Sequence, residues 1–205
     1  MPWGERLVHP GNGSLSFLHY VCHEPLQALV SAGLFQNDVR LDNVVMWRGR
    51  LYLIDFGYAT WVSECSSTMA LRCGRNRLQA PELARADFAG CVGEAQLVFT
   101  LGSLLLDALS ADFDDMLYFE RWSGHAIELV EAVDHLITKC LKKPDKVPQG
   151  WEHGLSSVIE LLKQLMAVDP LARPSFADSV AMLDQVWYGW HLLRCEEQKQ
   201  QTQRF

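Results

Sequence analysis

Within the stretch FQNDVRLDNVVMWRGRLYLIDFGYAT, residues 35–60, a small set of polar side chains has the types and spacing to handle phosphate chemistry. Asp38 stands five positions before Asn43, and Asp55 follows a bulky apolar stretch that Arg48-Gly49-Arg50 interrupts. A carboxylate and a side-chain amide are hard oxygen ligands, the kind Mg²⁺ accepts beside phosphate oxygens. Asn43 and Asp55 are therefore candidates to bind a metal and the phosphates of a cofactor. Asp38 could take the proton of an attacking hydroxyl, and Arg40 could contact a negatively charged group in transfer. Gly57 permits the chain to turn sharply after Asp55. The competing structural reading is that the acidic and amide residues only cap turns and that Arg40 makes a surface ion pair.

These residues need elements to hold them. Val44–Trp47 and Leu51–Ile54 read as two short strands around Arg48-Gly49-Arg50, a tight hairpin whose folding brings Asn43 and Asp55 toward one point. Residues 1–13 are rich in Pro and Gly and read as loop or extended strand. Ser16–Ser31 has helical apolar spacing at Leu18, Val21, Leu26, Leu29 and Val30, with Pro25 expected at a first turn or at the start of a new helix. Leu97–Leu109 is apolar nearly all round, the mark of a helix buried on most sides. Ile127–Leu141 and Leu155–Val168 are amphipathic, and Phe176–Trp190, introduced by Pro174, closes the fold. The tail from Cys195 to Phe205 is polar and expected to fray.

The 205 residues are 49% hydrophobic and carry a formal charge of −7. That apolar fraction fits a packed domain and not a disordered chain, and the acidic balance argues against a nucleic-acid stripe or a polybasic membrane anchor. Six cysteines without a C-x-x-C pair read as reduced thiols. The N-terminus lacks a signal-peptide layout, and the uncharged stretch Ala95–Leu106 is too short to span a bilayer. The expected location is intracellular, cytoplasmic or nuclear, with no membrane and no nucleic-acid partner. His19, Cys22 and His23 have an incomplete metal-ligand spacing with no second pair, so they read as packing residues. The tryptophans read as core or edge packing.

Asp38-Val39-Arg40-Leu41-Asp42-Asn43 resembles the catalytic loop of eukaryotic-type protein kinases, and Asp55-Phe56-Gly57 resembles their metal-binding D-F-G. Ala80-Pro81-Glu82, with Gly74 before it, resembles the end of the activation segment. Asp169-Pro170 with Arg173-Pro174-Ser175 resembles the late D-P-x-x-R-P-S element. The resemblance implies an α+β, mainly helical, protein-kinase-like C-terminal lobe with a small β-hairpin at the catalytic loop. It spans residues 1–194 from near the hinge, followed by the tail 195–205. It implies ATP and Mg²⁺ as cofactors, Asp38 and Arg40 as catalytic residues, and Asn43 and Asp55 as ligands of metal and nucleotide. Phe56, Gly57, Glu82 and Arg173 would be structural, the last two as a buried ion pair. The reaction implied is phosphoryl transfer from ATP to protein hydroxyls, serine or threonine rather than tyrosine.

Departures from the family pattern qualify that reading. No lysine precedes Lys139, and Gly11-Asn12-Gly13 lies too close to Asp38 for a phosphate-covering lobe to fit between them. Gln36-Asn37 replace the usual His-Arg, so a phosphate on Ser63, Ser66, Ser67 or Thr68 would lack its usual reader. Leu97 and Phe99 stand where Asp and Trp are usual, and Arg75 where serine/threonine kinases carry threonine. Two expectations follow. The chain is a fragment of a longer kinase, or it is a catalytically silent, pseudokinase-like C-lobe that binds a protein partner. In either case the 205 residues alone should bind nucleotide weakly.

Overall fold

The structure is a computed structural model that describes residues 5–6, 14–36, 38–39, 43–48, 50–61, 80–84, 93–112 and 154–202. The strands are β1 (Glu5–Arg6), β2 (Leu34–Phe35), β3 (Val44–Trp47), β4 (Arg50–Leu53) and β5 (Thr60–Trp61). The helices are α1 (Ser14–Val21), α2 (Gln27–Ser31), α3 (Glu94–Asp112), α4 (Leu155–Leu165) and α5 (Phe176–Thr202), with 3₁₀ turns at Pro81–Ala84 and Pro170–Ala172. The described residues form a mainly helical body with small sheets, compatible with the expected α+β lobe. Ile127–Leu141, Ser63–Thr68, Gly74 and Arg75 lie outside the described residues.

Between α1 and α2 the chain does not break at Pro25. Cys22–Leu26 forms a π-helical turn with Pro25 inside it, and the Gln27 N–H reaches back to the Cys22 carbonyl. A proline has no N–H and its ring clashes with the carbonyl four residues earlier. Widening the turn by one residue eases the clash, and the helix runs on without the hydrogen bond that Pro25 cannot donate. The apolar stripe survives, with Leu18, Val21, Cys22 and Leu26 all buried. The helix ends where Gly33 takes φ +77°, a left-handed C-terminal cap, while Ala32 N–H bonds to the Ala28 carbonyl.

The hairpin also differs from expectation by one residue. Trp47 pairs with Arg50, Met46 with Leu51, Val45 with Tyr52 and Val44 with Leu53, so β3 ends at Trp47 and β4 starts at Arg50. Arg48 takes φ 51° there, the left-handed backbone of two-residue loops whose twist matches the strands. β1 adds to the free side of β3 through Glu5↔Met46 and Arg6↔Val45. A second ladder joins Leu34 to Trp61 and Phe35 to Thr60. It ties the chain entering Asp38 to the chain leaving Asp55.

The core lies around α3. Gln96 through Ser103 are buried without interruption, as are Leu104, Leu105 and Leu106, so α3 is enclosed as its sequence predicts. Thr100 and Ser103 bond their hydroxyls to the carbonyls of Gln96 and Phe99, which satisfies these polar groups inside the helix. α1 packs on α3 and α5, and α3 packs on α4 and α5. α4 buries Leu155, Val158, Ile159, Leu161, Leu162 and Leu165. α5 begins with an N-cap, the Ser175 hydroxyl accepting from Asp178 N–H and donating to its carboxylate. The tail does not fray at Cys195: α5 runs to Thr202, in keeping with the helix propensity of Glu, Gln and Lys. No described helix is long and apolar enough to cross a membrane.

Candidate functional site

The site forms where the two ladders meet. Asn43 precedes β3 and Asp55 follows β4, and the Ile54 N–H to Asn43 carbonyl bond, 2.8 Å, extends the ladder by one pair, so that Asp55 comes one residue after the partner of Asn43. Asp38 and Asn43 are both buried. Asn43 Nδ2 donates to the main-chain oxygen of Asp38 and to its Oδ2, each at 2.8 Å. One amide thus fixes both the backbone and the carboxylate of Asp38. The carboxylate is thus oriented through Oδ2, against a main chain held by the same amide.

Asp55 is exposed and takes φ 60°. A non-glycine residue held there carries strain of order 1–3 kcal/mol, and two contacts offset it. Gln36, buried, donates through Nε2 to the Asp55 main-chain oxygen at 2.8 Å, and Gly57 N–H donates to Asp55 Oδ1 at 3.2 Å. The sharp turn expected at Gly57 is therefore made by Asp55. Gly57 instead supplies an amide donor and leaves room, since a Cβ on it would lie 3.2 Å from Asp55 Oδ1. Phe56 is exposed and lines a shallow cavity of about 340 Å³ with Pro25, Leu29, Leu51 and Leu53. Arg40 lies outside the described residues.

Gln36 is the residue that sequence reasoning weighed only as a loss. Its position in the catalytic-loop pattern, two before Asp38, was the available signal. An amide can donate a hydrogen bond there as an imidazole can.

Away from this site, Glu82 and Arg173 meet in a two-pronged pair: Nη1 to Oε1 and Nη2 to Oε2, both 2.7 Å, with both side chains buried. Arg173 also donates to the carbonyls of Ala167 and Ala95 at 2.8 and 2.9 Å. Its guanidinium lies 4.9 Å from the centre of the Phe99 ring. The turn Pro81–Ala84 is thus bolted to the start of α3 and to the loop before α5. Glu82 and Arg173 stand apart from the polar cluster and act on the frame.

The oxygen chemistry of the cluster fits a hard divalent cation. Asn43 and Asp55 supply an amide and a carboxylate from adjacent chain segments, one buried and oriented, the other exposed.

No family model matches the chain. It is 31% identical over 152 residues to the serine/threonine-protein kinase AfsK of Streptomyces griseus, covering 74% of this chain and 17% of that protein. It is 24% identical over 183 residues to the leucine-rich repeat receptor-like protein kinase PEPR1 of Arabidopsis thaliana, 84% of this chain and 15% of that one. It is also 24% identical over 193 residues to the serine/threonine-protein kinase STE20 of Yarrowia lipolytica, 90% of this chain and 16% of that one. The chain spans less than a fifth of the length of these curated relatives. At low identity, and over most of its own length, the chain is protein-kinase-like.

Proposed function

We propose that the chain forms the catalytic-loop lobe of a divergent protein kinase that moves the γ-phosphoryl group of ATP to a protein hydroxyl, on serine or threonine rather than tyrosine. The observation that carries this reading is the Asn43 amide tied to both the main-chain oxygen and the Oδ2 of Asp38. Turn capping alone does not require one amide to hold both the main chain and the carboxylate of a buried aspartate.

In this reading Asp38 orients the acceptor hydroxyl and takes its proton as the oxygen attacks phosphorus. Arg40 steadies the negative charge of the group in transfer. Asn43 and Asp55 hold Mg²⁺, which when bound neutralises charge on the phosphate oxygens. Gln36 keeps Asp55 presented toward the nucleotide side. The kinase relatives support ATP and Mg²⁺ as the cofactors and a protein as the substrate.

The test is phosphoryl transfer by the complete protein from its own cells, with Asp38→Asn and Asp55→Ala beside it. Both variants should lose transfer while keeping their fold. If both phosphorylate as well as the parent, this mechanism is wrong.

A second reading has its own observation. Phe56, Tyr52, Met46, Ile54 and Trp61 are exposed around the hairpin, and an apolar cavity opens beside Phe56. A pseudokinase-like lobe would use that surface to hold a protein partner. Under this reading Asp38→Asn leaves the biological output intact, whereas Phe56→Ser with Tyr52→Ser abolishes it.

A further inference from the structure

His19 and His23 lie four residues apart on one side of a single helix, α1 and its π turn, a spacing that by itself offers only two ligands. The fold adds a third from the far end of the chain. Asp184 on α5 places Oδ1 at 2.9 Å from His19 Nε2 and at 2.6 Å from His23 Nε2. The three ligand atoms all lie within 4.8 Å of one another. We propose that His19, His23 and Asp184 form a transition-metal site of zinc type, with water in the fourth position, that clips the first helix to α5.

The donor set selects the ion. Two imidazole nitrogens and one carboxylate oxygen suit Zn²⁺ and its neighbours, and disfavour Mg²⁺ and Ca²⁺, which take oxygen ligands. With bonds of about 2.0–2.2 Å, a tetrahedral ion separates its ligand atoms by about 3.3 Å. The two contacts to Asp184 Oδ1, at 2.9 and 2.6 Å, are therefore tighter than in a loaded site, a gap that side-chain rotation can supply. His23 and Asp184 are 34% and 28% exposed, so an ion and its water can enter.

The surroundings hold the ligands ready. His19 stacks on Trp187 at 4.3 Å and 16°, and Trp187 stacks in turn on His191 at 5.3 Å and 5°, which fixes the plane of the His19 ring. Cys22 stands between the two histidines in sequence but is fully buried in the core, outside the ligand set. The site stands apart from Asp38, Asn43 and Asp55, and it does not depend on the kinase reading.

The test uses the full chain stripped with a chelator and then titrated with Zn²⁺, Mg²⁺ and Co²⁺. One Zn²⁺ should bind per chain, Mg²⁺ should not compete, and Zn²⁺ should raise the unfolding temperature. Co²⁺ should give the visible absorption of a nitrogen- and oxygen-ligated ion, without a thiolate charge-transfer band. His23→Ala and Asp184→Asn should each weaken Zn²⁺ binding roughly 100-fold or more and abolish the thermal shift. Absence of Zn²⁺ binding, equal binding by both variants, or a thiolate band that puts the ion on cysteines would each overturn the proposal. If His23→Ala fails to fold, Asp184→Asn and the Co²⁺ spectrum of the parent still decide it.

Discussion

Gln36 donates through Nε2 to the main-chain oxygen of Asp55 at 2.8 Å, across 19 residues of sequence. The bond joins the segment that enters the catalytic-loop pattern to the residue that leaves the hairpin. It holds Asp55 in a backbone conformation that an L-residue rarely adopts. The same side chain carries a weakness, because Oε1 of Gln36 is buried and has no hydrogen-bond partner among the described residues.

Those two facts predict an uneven response to substitution at position 36. Gln36→Leu removes a hydrogen bond of about 1 kcal/mol and also removes an unsatisfied oxygen, so urea unfolding should shift by about 1 kcal/mol or less in either direction. The freed Asp55 segment should nonetheless exchange its amide hydrogens faster, at Gly57 above all. Gln36→Glu places a charge in the same buried position facing a carbonyl oxygen, and should destabilise by about 2 kcal/mol or more. Equal effects of Leu and Glu on stability would show that the bond to Asp55 is incidental.

Gly102 on α3 faces the C-terminal end of α4 and the Met166 that caps it. A Cβ built there would lie 2.4 Å from Met166 Cγ and 3.0 Å from Leu165 Cβ. In an open helix Gly→Ala gains about 1 kcal/mol, whereas overpacking a core costs about 1–3 kcal/mol. Gly102→Ala should therefore lose stability on balance. In a Met166→Ala background the same change should lose less than half as much, since the nearest obstacle is gone. Chemical denaturation of the four proteins of that cycle checks the coupling.

Cys22 is predicted to be chemically silent in the native chain. It is fully buried, and burial, reinforced by the charge of Asp184, holds its thiol above the usual range. The thiolate is the reactive species, so raising the pH to mildly alkaline values should not expose it. Iodoacetamide followed by peptide mapping should leave the Cys22 peptide unmodified until denaturant is added. Labelling in the native state would mean that the first helix detaches from the core on the labelling timescale.

What the sequence revealed and what it hid separate along a physical line. The strands on either side of Arg48-Gly49-Arg50 were legible because bulky apolar runs flank a turn, and the structure joins Asp38 to Asn43 just before them. The one-residue error in β4 came from Arg48, whose left-handed backbone no propensity of arginine predicts. Pro25 ordinarily ends a helix, and nothing local announces the π turn that absorbs it. Asp184 lies 161 residues from His23, so its carboxylate could not be assigned to the two histidines from spacing alone. The tail looked frayed because it is polar, yet polar helix formers can extend a helix already anchored at Phe176. Arg40, on which part of the kinase reading rests, falls outside the described residues.

The Glu82–Arg173 pair offers the clearest separation of frame from chemistry. Arg173 uses both terminal nitrogens on the Glu82 carboxylate and still reaches the carbonyls of Ala167 and Ala95. A lysine has a point charge and no planar fork, so it cannot make these contacts together. Breaking a buried pair by removing one partner typically costs about 3–5 kcal/mol, because the other charge is left alone, whereas replacing both by apolar residues can be nearly neutral. Arg173→Lys and Glu82→Leu should each lower the denaturation midpoint sharply. Glu82→Leu combined with Arg173→Met should recover a large part of the loss, less the hydrogen bonds to the two carbonyls. Because the described contacts of Glu82 and Arg173 are with each other, with Phe99 and with main-chain carbonyls, the recovered double variant should also keep whatever metal or nucleotide binding the complete protein shows. If the double variant regains its fold but loses that binding, Glu82 and Arg173 transmit to the cluster and are more than a bolt.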